Sequence, residues 1–311
     1  MSVPGEARAV RSVLVCPATN GRMVEKAVAT SADVALLDLE DALTPDEKAA
    51  GREAVTAAFR DLDWGGKPRA FRVNAVSTAW CWRDIAEVVG GSGDRVDLIV
   101  VPKVDDAAEV AFVDMLLRQL EAEYGIAVPI ALHVQIETAR GLVHCRAIAQ
   151  ASPRVAALVF GPGDYAASVG APMAAIGMPD RHDAAYPGHR WGYAMHEILV
   201  AARAAGVLAI DGPYADFRDE PGLRRSAETA RALGYDGKWC IHPAQVPVCN
   251  EVFSPTAEEV AAARALLAAY AASVAAGRGA LTHAGVMIDM ASVRLAESVL
   301  ARAGGELPAL S

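Results

Sequence analysis

The feature that most constrains the fold is a repeat of short apolar runs, each followed by an amphipathic segment. The runs lie at residues 13–16, 34–39, 69–73, 98–101, 130–136, 156–160, 207–211 and 237–241. Several of them carry apolar residues with almost no alternation, which is typical of strands buried on both faces. The segments between them, such as residues 45–60, 107–124 and 218–233, show the periodicity of helices.

Eight strand–helix units in a chain of 311 residues favour a (β/α)8 TIM barrel over an open doubly wound sheet. A dinucleotide-binding unit would need a GxGxxG motif after the first strand, where the sequence instead reads CPATNGRM. Helical patterns at residues 256–277 and 289–301 are surplus to a barrel. We therefore predict an α/β fold, with a TIM-barrel catalytic domain over residues 1–253 and a C-terminal helical lid over residues 254–311.

The composition narrows the class of protein further. The chain is 53% hydrophobic and 22% charged, as globular domains are, and its net charge of −9 argues against nucleic acid or an anionic membrane as partner. Its five cysteines are widely separated, which indicates reduced thiols and no disulfide framework. Residues 1–12 contain no apolar stretch typical of a signal peptide. These features predict a cytoplasmic enzyme.

Two acidic residues follow neighbouring predicted strands, where the active site of a barrel lies. Glu137 comes after the fifth run and Asp164 after the sixth. Two carboxylates that share one mouth with water and substrate oxygens suit a hard divalent cation, Mg²⁺ or Mn²⁺. The alternative is that each carboxylate caps a helix or pairs with a nearby cation.

Further polar residues occur at the same end of the barrel. Asp38 and Glu40 share one face of the second run, and Arg72 on the third run is their obvious partner. This group either serves the chemistry or forms a structural bridge that closes the barrel mouth. Lys103 ends the fourth run and has no predicted role. The sequence shows no GxSxG motif and no Cys/His signature, so nothing supports a covalent acyl enzyme.

The first predicted helix carries two basic residues four positions apart. Arg22 and Lys26 therefore lie on one helix face, which suits a ligand that bears phosphate. The alternative is that both side chains are simply solvated.

Longer motifs identify a family. The stretches RSVLVCPATNGRMVEKA, ADVALLDLEDALTPDEKAAGR, FRVN, VPKV, IETARGL and FGPGDYAAS resemble, in this order, the citrate lyase beta-subunit-like family of the HpcH/HpaI aldolase superfamily. The stretches AIDGPYADFRD, GYDGKWCIHPAQVPVCNEVFSPT and IDMASVRLAE are most similar to its L-malyl-CoA/β-methylmalyl-CoA lyase branch. The resemblance covers the chain from Arg11 to Ala303.

The resemblance implies a Mg²⁺-dependent, reversible cleavage of a 3-hydroxyacyl-CoA such as L-malyl-CoA into acetyl-CoA and glyoxylate, by a homotrimer or hexamer. It implies roles for residues at matching positions: Glu137 and Asp164 as metal ligands, Arg72 on the substrate oxygen, Asp38 and Glu40 as the acidic group behind it, Arg22, Lys26 and Pro162 in substrate and CoA binding, and Asp289 as the acid delivered by the lid. Without the resemblance, Asp289 would be interpreted only as a helix N-cap. Asn20 stands where we expect an arginine in the malyl-CoA lyases, while Arg22 follows the broader family.

Four other functions are weighed at this stage. A malyl-CoA thioesterase would use the same metal, arginine and base, with water attacking the thioester carbonyl. A citramalyl-CoA lyase or a citrate lyase beta subunit would differ in its acyl substrate. A barrel that has lost catalysis and serves only for binding is disfavoured, because Arg72, Glu137, Asp164 and Asp289 are all present.

Overall fold

The computed structural model describes residues 9–186, 188–275, 281–283 and 286–304. Residues 1–8, from the segment in which we looked for a signal peptide, lie outside this range. The described chain divides into two compact units, with the boundary between Glu251 and Val252.

The first unit is a closed barrel of eight parallel strands in chain order, as predicted. The strands span Ser12–Pro17 (β1), Val34–Asp38 (β2), Arg69–Arg72 (β3), Leu98–Val101 (β4), Ala131–Ile136 (β5), Val155–Phe160 (β6), Leu208–Asp211 (β7) and Gly237–Cys240 (β8). Pairing of β1 with β8 closes the barrel, with Val13 opposite Trp239. The eight predicted runs differ from these strands by no more than one residue at either end.

Helices alternate with the strands and cover the barrel. They span Gly21–Ala29 (α1), Lys48–Asp61 (α2), Cys81–Ser92 (α3), Ala107–Tyr124 (α4), Ala139–Ala149 (α5), Pro162–Ser168 (α6), Gly192–Ala205 (α7), Glu220–Leu233 (α8) and Val246–Val252 (α9). Their ends carry local signals. The Asp106 side chain caps the first turn of α4, and Gly125 (φ 66°) ends this helix in the left-handed conformation that favours glycine.

Side chains fill the interior of the barrel. The buried cluster consists of Val13, Val34, Leu36, Ala70, Leu98, Val100, Ala157, Val159, Ile210 and Trp239. All five residues of β2 and all four of β4 are buried, because helices cover the outer face of each strand while its neighbours' side chains fill the inner face. The interior is therefore a packed core, and in such a barrel the active site lies at the carboxyl-terminal rim.

The second unit contains two helices and a hairpin. The helices span Ala257–Ala275 (α10) and Met290–Arg302 (α11), in place of the predicted 256–277 and 289–301. The predicted end of the first helix falls among residues 276–280, outside the described range. Strands Leu281–His283 (β9) and Val286–Ile288 (β10) pair antiparallel, which was not predicted because three-residue strands show no measurable period. The assignment of residues 1–253 and 254–311 to a catalytic domain and a lid stays a prediction.

The second unit has its own core. Ala263, Leu267 and Tyr270 on α10 are spaced as one helix face and pack with Val293 and Leu300 of α11. No helix in the described parts of the chain combines the length and hydropathy that crossing a bilayer requires.

Candidate active site

The last residues of β2 and β3 form the centre of the carboxyl-terminal rim of the barrel. Asp38 lies opposite Arg72 in the parallel register, so their side chains project side by side. Arg72 donates two hydrogen bonds to the Asp38 carboxylate, from Nε to Oδ1 at 2.7 Å and from Nη2 to Oδ2 at 2.6 Å. Both side chains are buried. This is the planar two-point pairing that arginine makes with a carboxylate, and it fixes the guanidinium in the rim.

Glu40 is the second carboxylate on Arg72. The strand ends at Asp38, whose Oδ1 accepts a hydrogen bond from the Glu40 backbone N–H at 2.9 Å. Glu40 Oε2 forms an ion pair with Arg72 Nη1 at 2.6 Å, although this oxygen accepts no hydrogen bond within the described residues. Burial raises the pKa of Glu40, although the positive charge of Arg72 opposes the change. The predicted pairing of Arg72 with this acidic group is therefore present.

Arg72 is held in its charged form by its surroundings. Burial alone would lower its pKa, but the charges of Asp38, Glu40 and Glu137 outweigh burial and raise it. Its guanidinium carbon lies 5.5 Å from the centre of the Trp239 ring, and Nη1 lies 3.4 Å from Gln135 Oε1. A fixed cation in a buried setting is suited to stabilise negative charge that develops on a substrate oxygen.

Glu137 follows β5 and is almost fully buried. Its Oε1 accepts a hydrogen bond from the backbone N–H of Lys103 at 2.8 Å, and its Oε2 accepts one from Gln135 Nε2 at 2.9 Å. Burial raises the pKa of Glu137 to about 8, the negative charges of Glu40 and Asp164 add to the rise, and Arg72 partly offsets it. The negative charge of this carboxylate is therefore only partly compensated by its surroundings.

Asp164 lies in the first turn of the short helix α6, after the end of β6. Its side chain is 43% exposed and lies 3.7 Å from the ammonium of Lys103. Asp164 is close enough to Glu137 for its charge to raise the pKa of that group. The structure thus brings together the two carboxylates that the sequence predicts as metal ligands.

Lys103 is a site residue whose role the sequence did not reveal. Its Nζ lies 2.5 Å from Glu40 Oε1 and 3.1 Å from Asp41 Oδ2. Burial would lower the pKa of Lys103, but Glu40, Asp41 and Asp164 together raise it. Its backbone has φ +52°, a left-handed conformation that costs an L-residue roughly 1–2 kcal/mol. The available signal was the position of a lysine at a strand end.

A second buried group supports the loop after β2 from behind. Lys48 Nζ donates hydrogen bonds to the backbone oxygens of Leu39 and Glu40, both at 2.7 Å. Asn74 Nδ2 donates to Leu39 O at 3.1 Å and to Asp84 Oδ2 at 2.6 Å. These contacts hold the backbone that carries Glu40. Sequence reasoning missed them, although a lysine and an aspartate on buried helix faces are unusual enough to be a signal.

The residues around Glu137 and Asp164 fit a divalent metal ion. An ideal Cβ built on Gly161 would lie 2.1 Å from Glu137 Oε2, so only a glycine leaves room for this carboxylate. Among the described residues, no group of three or more His, Cys, Asp or Glu side chains is arranged to hold a metal. Mg²⁺ commonly takes only one or two protein carboxylates and keeps water or substrate oxygens, which matches two oxygen ligands beside an undercompensated negative charge.

The remaining predicted site residues lie at separate places. Arg22 and Lys26 are exposed on α1, and Pro162 is buried at the start of α6. Asp289 belongs to the second unit, where its Oδ1 accepts hydrogen bonds from the backbone N–H groups of Ala291 and Ser292 at 3.0 Å. These hydrogen bonds lower the pKa of Asp289, and the bond from the Ser292 N–H has the largest effect. In this structure Asp289 is the N-cap of α11.

Comparison with known proteins gives a consistent result. The family model described as HpcH/HpaI aldolase/citrate lyase matches residues 11–243. The chain is 40% identical to an L-malyl-CoA/beta-methylmalyl-CoA lyase of Cereibacter sphaeroides over 306 residues, which cover 96% of each chain. It is 35% identical to a (3S)-malyl-CoA thioesterase of the same species over 298 residues, again 96% of each chain.

The solved structures extend this result to the fold. The protein CitE from Mycobacterium tuberculosis, crystallised in complex with magnesium, acetoacetate and coenzyme A, superposes with a TM-score of 0.76. It shares 34% sequence identity, and the match covers 96% of this chain and 99% of that one. The match to the family model over most of the chain, together with these relatives, leads to one conclusion: the chain belongs to the HpcH/HpaI aldolase/citrate lyase family of carbon–carbon lyases.

Proposed function

We propose that the protein catalyses the Mg²⁺-dependent, reversible cleavage of a 3-hydroxyacyl-CoA, with L-malyl-CoA as its substrate and acetyl-CoA and glyoxylate as products. The observation that carries the proposal is a buried, fixed Arg72 close to Glu137 at the carboxyl-terminal rim, with Asp164 near enough to Glu137 to raise its pKa. The 40% identity to an L-malyl-CoA/beta-methylmalyl-CoA lyase supports this choice of substrate.

The reaction breaks the C2–C3 bond of the acyl chain. The proton of the 3-hydroxyl group leaves, its oxygen becomes the carbonyl of glyoxylate, and the electrons of the broken bond pass to the thioester as an enolate. Protonation of that enolate gives acetyl-CoA. Arg72 accounts for the enolate step, because a buried cation next to the thioester oxygen stabilises the negative charge as it forms.

Glu137 and Asp164 would hold the Mg²⁺. When bound there, the ion supplies a Lewis acid and a template for the carboxylate and carbonyl of the keto acid. Gln135 and the backbone of Lys103 keep the Glu137 carboxylate in one orientation. Asp38 does the same for Arg72, so the two charged parts of the site are each fixed by a neighbour.

Asp289 is our candidate for the acid–base residue that exchanges a proton with the acetyl-CoA methyl group. The substitution that tests it is Asp289→Asn, because asparagine is as good an N-cap as aspartate and leaves α11 intact. We expect the variant to unfold at the wild-type temperature and to lose the exchange of acetyl-CoA methyl protons with solvent deuterium. Exchange at the wild-type rate would remove Asp289 from the reaction.

The test of the function itself is an assay that measures two products separately. Purified protein is incubated with L-malyl-CoA and Mg²⁺, and glyoxylate and free CoA are determined in the same samples, with EDTA as control. We expect glyoxylate and acetyl-CoA in equal amounts, lost with EDTA and restored by Mg²⁺. Free CoA and malate without glyoxylate would instead establish a thioesterase, the activity of the relative at 35% identity. If neither product forms, the proposed substrate is wrong, and citramalyl-CoA is tested next.

A further inference from the structure

Lys103 combines a strained backbone with an unusual set of contacts. Among the described residues it is the one non-glycine residue with a positive φ. Glycine would adopt this conformation without cost, so the position favours a residue with no side chain. A residue kept in such a conformation at a candidate site points to something that its side chain supplies there.

The two ends of Lys103 contact both proposed metal ligands. Its backbone N–H donates to Glu137 Oε1 at 2.8 Å, while its ammonium lies 3.7 Å from Asp164 Oδ1. The N–H therefore contacts the residue that follows β5, while the side chain contacts the loop after β2. Lys103 thus links the metal carboxylates to Glu40 and Asp41.

The charges in this part of the rim are unbalanced. Five carboxylates, Asp38, Glu40, Asp41, Glu137 and Asp164, face three cations, Arg72, Lys103 and Lys48. Arg72 is engaged by Asp38 and Glu40. Within the described chain, Lys103 is the ion-pair partner of Asp41 and of Asp164, and neither carboxylate has another. Its ammonium is therefore the positive charge that Asp164 has before a metal ion binds.

The distances show how this charge is shared. The ammonium is 2.5 Å from Glu40 and 3.1 Å from Asp41, but 3.7 Å from Asp164. Its shortest contacts are therefore with the loop after β2, and Asp164 is the most distant of these three carboxylates. A divalent cation that binds Asp164 must then come close to a fixed positive charge, and like charges at such distances repel strongly.

From this geometry we propose that Lys103 is a positioning residue of the metal site. Its backbone N–H orients Glu137. Its ammonium is the counter-charge of Asp164 and competes with the divalent cation for that carboxylate. The inference rests on the proposed function, because it assumes that Glu137 and Asp164 bind the metal. It predicts that removal of the ammonium strengthens metal binding. A lysine with a purely structural role would have the opposite effect, since its loss would loosen the carboxylates.

The test measures Mg²⁺ binding to the full-length protein by isothermal titration calorimetry, without substrate. For Lys103→Met we expect binding tighter than wild type by about tenfold, as expected for loss of one nearby positive charge. Lys103→Arg keeps the charge and should bind Mg²⁺ as wild type does. Binding by Lys103→Met that is equal to or weaker than wild type would overturn the proposal, as would an equal gain in Lys103→Arg.

A second measurement and a second variant complete the test of Lys103. In thermal unfolding, the rise in Tm caused by Mg²⁺ should be larger for Lys103→Met than for wild type, because a ligand that binds the folded state more tightly stabilises it more. Lys103→Gly removes the ammonium and relieves the left-handed backbone, so it replaces the methionine variant if that protein does not fold. If wild type itself shows no Mg²⁺ binding, the proposed metal site fails and this inference with it. If wild type binds and the uncharged variants bind no tighter, only the role of Lys103 fails.

Discussion

Two buried arginines at opposite ends of the barrel are paired in different ways. Arg154 stands just before β6, at the amino-terminal end of the strands. Its Nε lies 2.6 Å from Asp114 Oδ1, and its Nη2 lies 2.5 Å from Glu121 Oε2. Arg118 binds Asp114 through two further bonds at 3.0 Å. Two carboxylates thus meet two arginines. Burial would raise the pKa of Asp114, but hydrogen bonds from Arg118 and Arg154 outweigh it and lower the pKa.

Arg72, at the carboxyl-terminal end, has no such balance. There the carboxylates outnumber the cations, burial raises the pKa of Glu137 to about 8, and Lys103 adopts a strained backbone. A chain selected only for stability would gain by balancing this group as the Arg154 group is balanced. The contrast supports our proposal that the amino-terminal network stabilises the barrel, while the unbalanced rim binds a cation.

The largest effect that the comparison predicts is on activity at the rim. Glu137→Gln keeps the shape of the side chain and its bond from Lys103 but removes a charge that would ligate the metal. We expect turnover to fall by at least about 10³-fold, since the metal's contribution to catalysis is lost. The Tm without Mg²⁺ should change little, because removal of a buried, incompletely compensated carboxylate is opposed by loss of the hydrogen bond from Gln135 Nε2, which would face the new amide nitrogen. A clear fall in Tm with retained turnover would reverse the roles given to the two ends.

A substitution in the Arg154 network, at the amino-terminal end of the barrel, should lower stability and leave activity unchanged. Arg154→Met leaves Asp114 and Glu121 buried with reduced pairing, and removal of one partner from a buried ion pair costs about 3–5 kcal/mol. Chemical denaturation should show this loss in the free energy of unfolding, while kcat for the folded fraction stays at the wild-type value. Loss of kcat without loss of stability would show that this network reaches the site.

The fold and part of the candidate site could be predicted from the sequence, and the physical reasons can be named. Strands buried on both faces, such as β2 and β4, read as continuous apolar runs, and acidic residues that follow such runs must lie at the rim. This is why the sequence predicts Glu137 and Asp164 at that rim, and their role as metal ligands stays a prediction. The contacts of Lys103 depend on its positive φ, which no local pattern indicates. The Arg154 network joins α4 to the residue before β6, 40 positions after Asp114. In the sequence, Asp114, Arg118 and Glu121 look like ordinary charges on a helix and Arg154 like an ordinary charge in a loop.

A substitution of Gly161 tests how tightly the rim packs around the carboxylate of Glu137, the proposed metal ligand. In Gly161→Ala, the added Cβ would lie 2.1 Å from Glu137 Oε2 and 2.4 Å from Glu137 Cβ, so the side chain must move. Such overpacking costs about 1–3 kcal/mol. We expect weaker Mg²⁺ binding by calorimetry together with a moderate loss of stability. Gly21→Ala is the matched control, because nothing lies within 4 Å of the added atom and α1 should be unaffected. Wild-type Mg²⁺ affinity in Gly161→Ala would mean that Glu137 is not a ligand.

The smallest effect is expected for Arg118→Ala, and it decides which part of the Arg154 network stabilises the barrel. Arg118 binds the same carboxylate as Arg154, but its own side chain is 63% exposed, whereas that of Arg154 is 7% exposed. Water screens an exposed pair and can replace its hydrogen bonds, while Asp114 keeps its buried partner. We therefore expect little or no change in the denaturation midpoint, measured beside Arg154→Met under the same conditions. Equal losses of stability in the two variants would mean that Asp114 needs both arginines. The number of its partners, more than their burial, would then distinguish this end of the barrel from the rim around Arg72.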